Sequence, residues 1–212
     1  MKNIFIRMFM PVRFKRFYAR YKNQEFSLLD IGSDGSVNPT RKYFKKVKYY
    51  GLDHLRNESE IRLMDGFFHI DLSQQDLSVV PEDFFDVVVM SHVIEHLRNG
   101  LDVLSQVPKK LKSGGVIYIE FPSVDSLSFF NAKDVLNFCD EKTHARVYNL
   151  QEVANILLGE DMKIIRAGKR RDLARIILTP ILMVRDFIRK RTFGASLWDM
   201  LGFADYVYAV KL

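Results

Sequence analysis

From Phe26 to its last residue the chain alternates short apolar runs, rich in β-branched and aromatic residues, with stretches whose apolar positions recur every three or four residues. That alternation is the strongest constraint on its fold. Strands are predicted at residues 27–33, 48–54, 66–72, 85–93, 114–122, 162–168 and 204–212, and helical spacing at 39–47, 97–111 and 150–160. Asn149 is placed to cap the last helix. Strand–helix alternation implies βαβ units, hence an α/β protein with a mostly parallel sheet covered by helices on both faces.

In an open sheet of this kind ligands bind beyond the carboxyl ends of the strands, where the strand order reverses. The residues that close each strand are therefore the informative ones. The first strand closes with Asp30, Gly32 and Ser33, the second with Asp53 and His54, the third with Asp71, and the fourth with Ser91 and His92. In DIGSDGS (30–36), glycines let the backbone approach a ligand while loop amides point at its anionic groups. Asp53 is placed to accept hydrogen bonds from a ribose. Taken alone, the same residues fit a tight turn and a solvated strand end equally well.

Three further matches in register resolve that choice. LLDIGS, YYGLDH, HIDLS, FDVVVMSHVIEHL and LKSGGVIYIEFP occur in this order. Together they resemble the class I S-adenosylmethionine-dependent methyltransferases, in particular the group acting on small molecules and biosynthetic intermediates. The resemblance runs from about Phe26 to Leu212, and the closing FADYVYAVKL is similar to that fold's final antiparallel strand. It implies a Rossmann-like seven-stranded sheet and S-adenosylmethionine as cofactor. It further implies a cofactor site made by Asp30, Gly32, Ser33, Asp34, Gly35, Asp53, His54, Asp71, Leu72, Ser91 and His92. One departure stands out: where the family has its second and third loop glycines, this chain has Asp34 and Ser36, with Gly35 shifted by one. Asp34 could receive the cofactor's ammonium group or cap the following helix.

SHVIEHL (91–97) also contains His92, Glu95 and His96 in the order H-x-x-E-H, an inverted zinc-protease signature. That chemistry needs the first histidine on a helix and a third ligand from elsewhere, whereas here the apolar run extends into His92. The match is read as coincidental, and no metal is expected.

Methyl transfer requires alignment of acceptor and sulfonium and, for an acceptor of high pKa, a base. His92 and His144 are the candidate catalytic residues, with Glu120 a weaker third; each histidine could equally be a packing or cofactor-contacting residue. The absence of Asn-Pro-Pro-Tyr or Asp-Pro-Pro-Tyr after the fourth strand argues against amino methylation of adenine or glutamine. The expected acceptor is a small-molecule, sugar or lipid-linked intermediate, methylated on oxygen. The alternative is a catalytically inert domain of the same fold that binds a nucleotide-like ligand or a membrane partner.

Charge divides the chain. The net charge is +6, yet residues 1–24 and 166–191 each carry +7, leaving −8 on the remainder. Both basic segments are also apolar, which suggests an anionic membrane surface as partner, with nucleic acid a weaker choice. In residues 1–25 a basic amphipathic arm is expected, with Ile6, Met10, Phe14, Phe17 and Tyr21 on one face and Pro11 breaking or starting the helix. Residues 26–212 are expected to form the methyltransferase domain, with a basic, apolar helical insertion at about 170–203. The apolar stretch 176–184 is too short to cross a bilayer, which takes about 20 residues. A single cysteine, Cys139, excludes an intramolecular disulfide. It is expected to be buried. With no uninterrupted apolar core near the start, a cytoplasmic protein is expected, peripheral on the inner face of the membrane if the basic segments bind lipid.

Overall fold

The computed structural model describes residues 10–131, 136–190, 192 and 194–212; Ile6 lies outside them. Seven strands form one sheet in the order β3-β2-β1-β4-β5-β7-β6. They are β1 (Phe26–Ile31), β2 (Val47–Asp53), β3 (Gly66–His69), β4 (Phe85–Ser91), β5 (Leu111–Pro122), β6 (Met162–Lys169) and β7 (Ala204–Lys211). The first five run parallel, and β7 pairs antiparallel with both β5 and β6. All seven expected strands are present, as is the antiparallel last strand. Every residue of β1 is buried, because parallel strands are covered on both faces. The chain winds outward from β1 to β3, then returns to place β4 against the other side of β1, so the reversal of strand order lies between β1 and β4.

Three short helices, α1 (Val12–Lys15), α2 (Tyr18–Tyr21) and α3 (Val37–Tyr43), cover one face. Met10, Phe14, Phe17 and Tyr21 are buried there with Phe26, Phe44 and Tyr49. Phe17 stacks on Phe44 at 5.2 Å between ring centroids, and Arg16 donates to the Tyr206 hydroxyl at 2.7 Å. The apolar face of the described part of the arm is thus packed on the protein body, not presented to a membrane. The other face is covered by α5 (Gly100–Lys110) and α6 (Leu150–Gly159), against a core centred on Leu29, Val88, Ile117 and Val207. One turn, α4 (Glu58–Ile61), precedes β3. Asn149 does cap α6: its side chain accepts from Glu152 N–H at 2.9 Å, and Glu152 reaches back to Asn149 N–H.

Between β6 and β7 lie α7 (Leu173–Lys190) and α8 (Gly194–Leu201). No helix among the described residues is long and apolar enough to cross a membrane. On α7 the residues Leu173, Ile177, Ile181, Val184 and Ile188 are all 61–77% exposed. Their spacing of three and four puts them on one face of the helix.

Candidate active site

A cavity of about 530 Å³ opens at the carboxyl ends of β1, β2 and β4, the place the topology favours. Of the residues singled out in the sequence, Gly32, Asp53, His54, Asp71, Leu72 and His92 line it, joined by Leu52, Leu55, Ile70, Ser73, Val93, His96, Leu97 and Thr143. A further depression of about 560 Å³, between residues 70–79 and α5, lacks these strand ends.

The first loop is shaped by Gly32, whose φ is +77° and whose N–H donates to Leu52 O at 2.8 Å. A Cβ at that position would lie 2.4 Å from Val93 Cγ2, so glycine alone lets the loops after β1 and β4 approach each other. Ser33 is buried, and its hydroxyl has no partner among the described residues. Ser33 and Asp34 face a small side pocket that also reaches Asp53. Asp53 is almost fully buried and bridges the loops: Oδ2 accepts from Asp34 N–H at 3.3 Å and Oδ1 from Leu55 N–H at 3.0 Å. Glu60 was not singled out in the sequence. It accepts from Gly35 N–H at 2.8 Å, so a carboxylate from α4 holds the altered loop where the usual glycine is missing.

Asp30, Gly35 and Ser91 do not line the cavity. Asp30 lies inside the sheet, where its Oδ2 accepts from Tyr49 Oη at 2.8 Å. Burial raises its pKa to about 6, opposed by the Arg13 charge and the Tyr49 hydrogen bond. Asp71 accepts from the N–H and hydroxyl of Ser73 at 3.0 and 2.7 Å, which shapes the turn after β3 and holds its carboxyl below the usual range.

The three base candidates sit in different environments. His92 leaves β4 with φ +56°, a left-handed conformation uncommon outside glycine. This turns its ring back over the sheet, with Nδ1 3.0 Å from Glu95 Oε1 and Nε2 3.1 Å from Glu120 Oε1. Burial alone would lower its pKa, but the hydrogen bonds to Glu120 and Glu95, with their charges, outweigh that and raise it to about 9. His92 is thus an imidazolium at neutral pH, donating from both nitrogens. Glu120 also accepts from Arg170 Nη1 at 2.8 Å and from the Tyr118 hydroxyl. Burial opposes its ionisation, yet the charges of Arg170 and His92 and these hydrogen bonds hold its carboxyl well below the usual range.

His144 differs. Its Nδ1 is 2.7 Å from Phe138 O, so that nitrogen carries the proton and donates it, which leaves the Nε2 lone pair available. The loop that carries it is tied to the turn after β4, with Ala145 N–H donating to Glu95 O at 2.8 Å. Cys139, on the same loop, is exposed, contrary to the expectation of burial. Its N–H completes a cap on Asn137 Oδ1, which turns the side chain outward.

A family model described as a methyltransferase domain matches residues 6–166. No curated protein sequence matches the chain. Among solved structures, a SAM-dependent methyltransferase from Archaeoglobus fulgidus is 21% identical with a TM-score of 0.58, covering 99% of both chains. One from Mesorhizobium loti is 12% identical with a TM-score of 0.64, over 94% of this chain and 98% of that one. Also similar is the Burkholderia thailandensis 1,6-didemethyltoxoflavin-N1-methyltransferase, with bound 1,6-didemethyltoxoflavin and S-adenosylhomocysteine. It is 13% identical with a TM-score of 0.55, over 94% of this chain and 78% of that one.

Proposed function

The chain belongs to the methyltransferase-domain family, and from that premise we propose that it transfers a methyl group from S-adenosylmethionine to a small-molecule, sugar or lipid-linked acceptor, on oxygen. The observation that carries this reading is the placement of Asp53 beside Gly32 at one cavity, where β1 and β4 diverge. The residues present fit an adenosyl group. Gly32 allows close backbone approach, the Asp53 carboxylate offers acceptors to ribose hydroxyls, and the turn from Asp71 to Ser73 borders the opposite side of the same cavity. When bound, the cofactor supplies an electrophilic methyl on a sulfonium.

This chain's own residues do the rest by alignment and proton handling. His92 is charged and bracketed by two carboxylates, so it orients the loop after β4 and takes no proton. His144 has a free lone pair on Nε2 and is the residue suited to receive a hydroxyl proton. That pairing favours an acceptor that must lose a proton to react, which supports oxygen over an amine already bearing a lone pair. Calorimetric titration with S-adenosylhomocysteine tests the reading. Asp53→Ala is expected to weaken that binding by about 1–3 kcal/mol, the cost of hydrogen bonds lost to a charged acceptor. Binding of NAD and not of S-adenosylhomocysteine would overturn it.

The exposed face of α7 supports a location. Its five aliphatic residues form a stripe roughly 22 Å long at the helical rise, and the exposed Arg166, Arg171 and Arg189 flank it in sequence. This combination suits the surface of an anionic leaflet, where each basic residue contributes about 1 kcal/mol. On this reading the protein works in the cytoplasm, docked through α7 on the inner face of the membrane.

A further inference from the structure

Beside the cavity, Glu95, His96 and His144 each bring one potential ligand atom, and all three atoms lie within 4.8 Å of one another. The hydrogen bonds around them leave one donor atom of each residue uncommitted. Glu95 is 1% exposed; its Oε1 receives His92 Nδ1, while Oε2 is buried without a partner among the described residues. An unpaired buried carboxylate oxygen is costly and calls for a cation or donor. On His144, Nδ1 donates to Phe138 O. On His96, Nδ1 is 3.0 Å from Thr143 Oγ1, whose own proton is directed at Glu141 Oε1, 3.1 Å away. Thr143 therefore accepts from His96 Nδ1–H. Both rings present Nε2 as a lone pair with Nδ1–H held by an oxygen, the arrangement that orients metal-binding imidazoles.

We propose that Glu95, His96 and His144 form a binding site for a divalent transition-metal ion at the edge of the cavity. No metal is expected from the zinc-protease pattern because that pattern needs its first histidine, His92, on a helix. His92 is indeed held elsewhere by Glu120, but the trio does not use it. A four-coordinate ion holds its donors roughly 3.3 Å apart, so the three side chains need only converge modestly. Two imidazoles and one carboxylate suit zinc, manganese, cobalt or nickel better than magnesium or calcium, which favour all-oxygen sets. Three protein ligands leave an open position. Of these residues His96, with Thr143 beside it, lines the cavity, so the site borders that space.

Resting on the methyltransferase reading, this deepens it: the acceptor is an oxygen ligand, held and polarised by the ion, and His144 serves as ligand in the loaded protein. The ion and the proton acceptor are alternative uses of one lone pair. An ion that lowers the pKa of a bound hydroxyl would let that proton pass to solvent before the oxygen takes the methyl group, so no protein base is required.

The test is metal binding itself, measured on the chelator-stripped full chain by calorimetry with Zn²⁺ and by the visible absorption of Co²⁺. One equivalent is expected to bind. His96→Ala and His144→Ala should each weaken binding by roughly 100-fold or more, and Thr143→Val by about 10-fold, since losing an outer partner typically costs 10–100-fold. Cys139→Ser should bind as the unaltered chain does. Because Thr143 is exposed, its replacement probes the site without disturbing the core. Titration of S-adenosylhomocysteine on the metal-free protein separates the two readings. Cofactor binding with no stoichiometric metal binding overturns this inference alone, while metal binding without cofactor binding supports the site and removes the proposed activity. Equal metal affinity in the unaltered chain and both histidine variants would also overturn it.

Discussion

Arg170 Nη1 donates to Glu120 Oε1 at 2.8 Å, joining the segment before α7 to the strand beneath the cavity across 50 residues. The same oxygen receives His92 Nε2, and Arg170 Nη2 lies 3.4 Å from Asp199 Oδ2 on α8. The guanidinium also covers the Trp198 ring at 5.4 Å, and that ring packs 5.2 Å from His92. The helices between β6 and β7 are thereby coupled to the turn that shapes the site.

Replacing Arg170 by Ala should be among the most destabilising single changes in the chain. It leaves Glu120, 3% exposed, with only His92 as counter-charge among the described residues, and breaking one partner from a buried ion pair costs about 3–5 kcal/mol. Urea unfolding should show a lower midpoint. Arg170→Ala combined with Glu120→Gln should be less destabilised than the sum of the two changes, because the stranded charge is gone. A strictly additive pair would mean the two groups are not coupled.

His92 makes stability depend on pH in the alkaline direction. Its folded pKa of about 9 lies above its ordinary value of 6.5, so between these values the folded chain binds more protons than the unfolded one. The stabilisation is fully present below pH 6.5 and declines as pH rises through 9. At 1.36 kcal/mol per unit it amounts to about 3 kcal/mol. Asp30, raised to about 6, titrates below this window and does not mask it. The thermal midpoint of the unaltered chain should fall over pH 6.5–9, and His92→Gln should remove most of that slope. An unchanged slope in the variant would assign it to another group.

Much of this architecture is legible in the sequence because strand and helix periodicities are local properties. The run FDVVVM reads as a buried strand and is one, and Asn149 reads as a cap and is one. What the sequence does not reveal depends on contacts distant along the chain. Nothing local to His92 indicates that it turns backward at φ +56° onto Glu120, or that Arg170 reaches Glu120 from 50 residues further along the chain. Nor does local sequence reveal Glu60 on the Gly35 amide, or the joining of His144 to His96. The amphipathic spacing of the arm and of α7 is similar, yet Phe14 and Phe17 are buried while Ile177 and Ile181 are exposed. Periodicity identifies an apolar face; only the tertiary fold determines what covers it.

Gly32 provides a test of how tightly the loops after β1 and β4 are fitted. In Gly32→Ala the new methyl meets Val93 Cγ2 and the residue is held at φ +77°. Each effect costs about 1 kcal/mol or more, and cofactor affinity should fall with stability. Adding Val93→Ala should relieve the steric part and leave the backbone part, so the double variant recovers a portion of the loss. If Val93→Ala restores nothing, the defect lies in the backbone conformation alone.

Docking through α7 predicts binding to vesicles that contain anionic lipid, little binding to neutral ones, and weakening as salt rises. Both dependences are required, because the stripe supplies apolar contact and the flanking arginines supply charge. At physiological ionic strength screening confines the charge interaction to about 8 Å, so added salt should release the protein without unfolding it. Ile177→Glu with Ile181→Glu places two carboxylates in the centre of the stripe and should reduce binding to near background. As both positions are exposed, stability should change by no more than about 0.5 kcal/mol each. Arg20→Ala is the matched control. Its guanidinium donates to Gly114 O at 2.9 Å on the arm's own packing surface, so vesicle binding should persist in that variant. If instead Arg20→Ala releases the protein and the α7 variant stays bound, the membrane contact belongs to the N-terminal segment, and α7 presents its stripe to something other than lipid.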